Sequence, residues 1–221
     1  MGTLKPLEFL LDLLFPPKCI FCAKILKQSE TGICTHCQCE LPWITGVQAE
    51  QKLEFVSLCA SPLWYQDNVR DSVHRYKFYD RNFYAKYYGK FVAQCITDHL
   101  AGKYDLITWV PLSAKSLKKR GYDQAMLLAM STALELNDVA VETLKKGRHT
   151  DTQSRLDNDA ARRANVLGAY EVTDPALICG KRILLIDDVV TTGSTLSECA
   201  RVLRTCGASD VVCATLSRAR H

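Results

Sequence analysis

Apolar positions along the chain repeat in two ways. Residues 183–186 form an unbroken Ile/Leu run, the pattern of a strand covered on both faces, which points to a parallel sheet. Residues 104–110, 138–144 and 209–217 read as further strands, and residues 55–65 as an extended stretch in which Pro62 marks an edge or a bend and Cys59 belongs to the core. Helical spacing takes over elsewhere. Leu196, Cys199, Ala200, Leu203 and Cys206 make one inward stripe, with Glu198, Arg201 and Arg204 facing out and Gly207 as the C-cap. Helices are also expected over 67–79, over 82–100, where Tyr84, Tyr87, Tyr88 and Phe91 share a face, and over 124–136. Strands alternating with helices predict an α/β fold, an open parallel sheet flanked by helices.

The first residues follow a different logic. Residues 4–15 are apolar and helical in pattern, but they carry Glu8 and Asp12 and stop at Pro16 and Pro17. A membrane span needs about 20 apolar residues, so none is expected here, and neither a charged leader nor a small-residue cleavage site accompanies the segment. Cys19, Cys22, Cys34 and Cys37 then form two CxxC knuckles. Two such turns present the four thiolates of a closed structural zinc shell, and the intervening residues offer no core of their own, so the module is expected to need the metal to fold. A redox CxxC is the alternative, but that motif normally stands alone at the start of a helix. His36 and Cys39 are bystanders on this reading. The pattern loosens around residues 41–51, which divides the chain into a zinc module over 1–48 and an α/β domain over 49–221.

Chemistry gathers at the end of the 183–186 run. Asp187 and Asp188 stand there, followed by Val189, Val190 and a hydroxyl-rich turn of Thr191, Thr192, Gly193, Ser194 and Thr195 that opens a helix. Free N–H groups, hydroxyls and the macrodipole at such a helix start suit a phosphate, whereas the acidic pair would repel it and suits a neighbouring polyol. Ribose 5-phosphate satisfies both demands. The stretch after Val110 and Pro111 reads as a basic loop with Lys115, Lys118, Lys119, Arg120 and Gly121, placed at a strand's carboxyl end where an open α/β sheet binds ligands. Residues 145–155 read as the start of a polar loop able to close over that site, with Arg148, His149 and, further on, Arg162. The aromatic residues over 65–91, interleaved with Arg70, Arg75, Lys77, Arg81, Lys86 and Lys90, could form a base-stacking surface. The favoured reading is plainer: the aromatic side chains face inward and the cations are solvated.

Composition narrows the classes. A net charge of +4 is compatible with phosphate ligands but falls short of a dedicated nucleic-acid binder. Eleven cysteines without an export signal fit a reducing, cytoplasmic setting. Neither GxGxxG nor GxxxxGK[ST] occurs, which counts against dinucleotide oxidoreductases and P-loop NTPases.

Residues 186–196, IDDVVTTGSTL, resemble the phosphoribosyl diphosphate (PRPP) motif of type I phosphoribosyltransferases. Together with the paired knuckles, the RGYDQ segment at 120–124, and Arg148, Gln153, Leu156, Arg162 and Asn165 in an R…Q..L…R..N pattern, the chain resembles the ComF/GntX family from end to end. The resemblance implies a type I phosphoribosyltransferase-like sheet with a small four-cysteine zinc module. It implies that Asp187 and Asp188 hold the ribose, that Thr191 to Thr195 wrap the 5-phosphate, and that Lys115, Arg120, Gly121, Arg148 and Arg162 attend the diphosphate with Mg. It further implies an association with bacterial competence and DNA uptake. The motif is specific for the ligand rather than the reaction. One reading is Mg-dependent phosphoribosyl transfer with diphosphate release; the other is a non-catalytic PRPP sensor or single-stranded DNA binder working with competence-machinery proteins.

Overall fold

In the computed structural model, residues 14–147 and 168–220 are described. The second knuckle opens helix α1 (Thr35–Glu40), with Cys34 as its N-cap and Cys37 within it, and strands β1 (Glu50–Leu53), β2 (Val56–Ala60) and β3 (Leu63–Trp64) follow. Helices α2 (Asp67–Phe78) and α3 (Ala85–His99) lead to β4 (Leu106–Trp109), followed by α4 (Ala114–Arg120) and α5 (Gln124–Glu135). A ribbon of β5 (Leu144–Lys146) and β6 (Tyr170–Val172) and the short helix α6 (Pro175–Ile178) precede β7 (Arg182–Val190), α7 (Ser194–Thr205) and β8 (Asp210–Arg218).

Six strands make one sheet in the order β1-β2-β8-β7-β4, with β3 continuing along β8 beyond β2. All pairings are parallel except β1 with β2. Pro62 therefore marks a bend, where the chain leaves β2 and rejoins β8 as β3. The apolar run of β7 feeds two cores by alternation. Leu184 and Ile186 join Tyr76, Tyr88, Ile96, Leu128 and Ile107 beneath α2, α3 and α5, whereas Ile183 and Leu185 join Leu196, Cys199, Leu203 and Ile178 beneath α6 and α7. Each such side chain contributes about 1.5–3 kcal/mol on burial, so a run fully apolar on both faces is what this central position demands. Helices α3 and α5 meet at Gly89, where a Cβ would lie 2.8 Å from the backbone carbon of Ser131.

The structure corrects four expectations. Residues 138–144 are not a strand: Ala140 makes a single bridge to Ile107, and the strand starts at Leu144. The basic stretch after β4 is not a loop but α4, capped by the Ser113 hydroxyl, which accepts from the Ser116 N–H, and closed by Gly121. Glu198 does not face out; it is buried, accepting from the Gly168 N–H at 2.7 Å and pairing with Arg201 at 2.8 Å. The aromatic side chains Tyr76, Tyr84 and Tyr88 do face inward, but two of the cations among them, Arg75 and Lys77, are committed to buried partners rather than water. No helix among the described residues is long and apolar enough to cross a membrane.

Candidate functional site

The four knuckle thiols converge. Every pair among Cys19, Cys22, Cys34 and Cys37 Sγ atoms lies within 4.8 Å, and Cys22 and Cys34 are 3.6 Å apart. Tetrahedral zinc with Zn–S bonds of about 2.3 Å needs sulfurs roughly 3.8 Å apart, so the donor set fits that ion. Burial opposes ionisation of Cys19, but the backbone N–H groups of Cys34, Cys22 and Phe21 outweigh it and bring the thiol down to about 7, whereas burial and the neighbouring thiols push Cys22 and Cys37 up, a penalty that a bound cation would offset. His36 and Cys39 are exposed and outside the cluster. The first knuckle is fastened to the body by its backbone. Arg75 donates to the carbonyls of Ile20 (3.0 Å) and Phe21 (2.6 Å), the Ser72 hydroxyl also donates to Ile20, and the Phe21 ring packs on Tyr88 and Phe91.

The second site lies at the carboxyl end of β7. Asp187, Val189, Val190, Thr191, Thr192, Gly193, Ser194, Thr195 and Leu196 line one pocket; Asp188 is not among its lining residues and turns to Lys77 instead. Gly193 takes φ +77°, and a Cβ there would stand 2.6 Å from Leu53 Cδ2, so glycine lets the chain turn into α7 against β1 without strain and without displacing Leu53. The N-cap residue, Gly193, has no side chain to cap the helix; Thr192 and Ser194 share a hydroxyl–hydroxyl bond of 2.8 Å, Thr192 Oγ1 also accepts a long 3.4 Å bond from the Ser194 N–H, and such a helix start suits an anion.

The acidic pair is electrostatically split. Burial and the neighbouring Asp188 push the Asp187 carboxyl up to about 8, against the pull of Lys77 and of the Asp188 N–H, which donates to Asp187 at 2.8 Å. Asp188 is buried and pairs with Lys77 Nζ at 2.7 Å. The β5–β6 ribbon brings a further cation: Lys146 lies 5.0 Å from the Tyr170 ring, and its burial lowers its pKa while Cys199 and Asp187 act in the opposite direction.

The other expected residues are held by contacts within and around α4. Asp123 joins β4 to α5, accepting from the Leu112 N–H and capping Met126, each at 3.0 Å. Arg120 donates to Gln124 at 2.7 Å and rests 5.1 Å from the Phe78 ring. Lys115 is exposed in the first turn of α4, and Gly121 follows the helix with φ +80°. Arg148, His149, Gln153, Leu156, Arg162 and Asn165 lie outside the described residues. Sequence reasoning missed Lys77, Lys146 and Tyr170 as neighbours of the acidic pair. No local pattern marks them, since each reaches Asp187 or Asp188 only through tertiary packing.

Comparison with known proteins agrees with this geometry. Residues 122–221 match the family described as Phosphoribosyl transferase domain, and residues 10–48 match Double zinc ribbon domain. DNA utilization protein YhgH of Salmonella typhimurium is 30% identical over 91% of this chain and 98% of its own length. Competence protein F of Haemophilus influenzae is 26% identical over 91% of this chain and 97% of its own. Competence protein ComFC of Streptococcus pneumoniae is 28% identical over 86% and 78%. With a four-thiol cage that fits zinc at one end and a phosphoribosyltransferase-type sheet carrying its turn at the other, the chain belongs to the ComF/GntX family of phosphoribosyltransferase-like proteins.

Proposed function

We propose that this protein binds PRPP at the carboxyl end of β7. The observation that carries the reading is the placement of an acidic residue and an open helix start in one pocket, Asp187 beside the turn of Thr191 to Thr195. Asp187 and Asp188 accept from the ribose hydroxyls, while Val189 and Val190 carry the strand into the turn. Thr191, Thr192, Gly193, Ser194 and Thr195 hold the 5-phosphate through N–H groups, hydroxyls and the helix dipole. Lys115, Arg120 and Gly121, with Arg148 and Arg162, attend the diphosphate. We assign residues 1–48 to the zinc module and 49–221 to the ligand-binding body.

The chemistry such a site supports is displacement at C1 of the ribose. An acceptor's lone pair forms the new bond to C1, the C1–O bond breaks, and its electron pair departs with diphosphate. The protein's part is positioning and charge stabilisation. Mg would suit this site as a hard cation with oxygen donors: Asp187 and Asp188 are the carboxylates that would hold it, and it would supply charge neutralisation on the diphosphate. Lys77 already engages one Asp188 oxygen, so the ligand's own oxygens would provide most of the coordination.

Calorimetry of PRPP with Mg on the wild type and on Asp188→Asn tests the site: binding is expected in the first and at least a tenfold loss in the second. Equal binding to both would remove the assignment. Diphosphate release with a nucleobase or amine panel then tests transfer.

A second reading draws on the relatives' names and on an exposed aromatic ridge. Phe78, Tyr79 and Phe83 are exposed, and Lys119 and Arg120 lie over Phe78 at 5.9 and 5.1 Å. Stacking faces beside cations suit single-stranded DNA, handled together with competence-machinery proteins. Such binding must weaken steeply with salt, and a salt-insensitive isotherm with an oligonucleotide would count against it.

A further inference from the structure

Lys77 sits in the last turn of α2, far in sequence from every motif that suggested the ligand site. Its Nζ is 2.7 Å from Asp188 Oδ1, and the two side chains are only 21% and 10% exposed. An ion pair this enclosed differs from the surface pairs of the molecule, because each charge has given up most of its water and depends on the other. We propose that Lys77 is a positioning residue of the PRPP site, whose ammonium fixes the Asp188 carboxylate in the orientation that receives the ribose hydroxyls. The inference rests on the PRPP reading above and adds a residue to it.

Three observations carry it. First, the backbone around Lys77 is held from several directions, so its ammonium is not free to wander. Arg75 and Ser72 bind the knuckle carbonyls, the Tyr76 hydroxyl donates to the Gln124 carbonyl at 2.8 Å, and the Tyr122 hydroxyl donates to the Tyr76 carbonyl. Second, that same turn touches the other cationic wall, since Phe78 lies under Lys119 and Arg120. The end of α2 thus joins the acidic pair to the segment after β4, and a shift of this turn would move both. Third, the charge balance needs it. The Asp188 carboxylate beside a polyanionic ligand repels it, and Lys77, 2.7 Å away, offsets that repulsion while also acting on Asp187. Pairing at Oδ1 does not exhaust Asp188, because a carboxylate offers about four lone-pair sites.

Calorimetry on Lys77→Met, Lys77→Arg, Asp188→Asn and the Lys77→Met/Asp188→Asn double variant tests the assignment, with PRPP, ribose 5-phosphate and inorganic phosphate as probes. Lys77→Met is expected to weaken PRPP and ribose 5-phosphate about 10- to 100-fold, in the range of coupling between contacting residues. Inorganic phosphate, which needs only the turn, should change less than threefold, and Lys77→Arg should recover most of the loss. In the Asp188→Asn background, Lys77→Met should add less than a further threefold. Undiminished PRPP binding by Lys77→Met, an equal loss for all three probes, or full additivity with Asp188→Asn would each overturn the role. If Asp188→Asn alone binds PRPP as the wild type does, the PRPP reading itself falls. If it loses binding and Lys77→Met does not, only the inference about Lys77 falls.

Discussion

The zinc knuckles and the turn proposed here to hold a phosphate are cages built in opposite ways. In the knuckles the donors are side chains, four thiols brought together by tight turns with little regular structure around them. In the turn the donors are hydroxyls and N–H groups, set by a nine-residue strand and a twelve-residue helix. The first cage depends on its metal for cohesion, the second on the sheet. Yet α2 serves both, gripping the knuckle carbonyls through Arg75 and reaching Asp188 through Lys77 two residues later. Dependence should therefore run one way: disturbing the zinc cage reaches the ligand site, whereas disturbing the ligand site leaves the zinc in place.

The largest test of that asymmetry is Cys37→Ser. Structural zinc contributes roughly 10–16 kcal/mol in small modules, so bound metal should fall to a small fraction by elemental analysis. PRPP affinity should drop at least tenfold with it; unchanged affinity would separate the two cages. Gly193→Ala comes next. A left-handed non-glycine residue costs about 1–2 kcal/mol and overpacking against Leu53 about 1–3 kcal/mol, so denaturant unfolding should show a loss of about 2–5 kcal/mol. PRPP binding should fail while zinc content stays at the wild-type level. Adding Leu53→Ala should restore part of the stability by clearing the space the new methyl needs.

Arg75→Met is a finer probe of the shared helix. Hydrogen bonds to a charged group contribute about 1.5–3 kcal/mol, so a loss of that order is expected, together with faster zinc transfer to a colorimetric chelator. A last probe concerns pH. The Asp187 carboxyl is raised to about 8 from an ordinary value of 3.8, so the folded protein holds a proton there that the unfolded chain releases. Stability from this group is greatest at low pH and is lost as pH rises toward 8. Melting temperature should fall between about pH 5 and pH 8, and Asp187→Asn should flatten that slope.

Local patterns revealed β7, its turn and α7, because an apolar run, two carboxylates and a hydroxyl-rich turn follow one another without interruption. The same was true of the knuckles, whose spacing is itself the signal. What escaped was whatever depends on a distant partner. Glu198 looks like a solvent-facing position until the Gly168 N–H, thirty residues earlier, arrives to bind it. Lys77 looks like one more surface cation among many until α2 lays it against Asp188. The stretch after β4 was misjudged for a different reason: its run of lysines suggested a loop, but Ser113 supplies a cap and lysine is a good helix former.

The strand order also governs biosynthesis. Strand β8 follows every other described strand in the chain, yet it lies in the interior of the sheet, with β2 and β3 on one side and β7 on the other. At about 5–20 residues per second on the ribosome, β2 waits many seconds for its parallel neighbour. The knuckles can capture zinc early, but their platform cannot close until the final strand has been made. Until then β7 exposes an unpaired edge of backbone N–H and C=O groups, open to pairing with other chains, and loss of the β8 segment would leave a sheet in two unmatched halves.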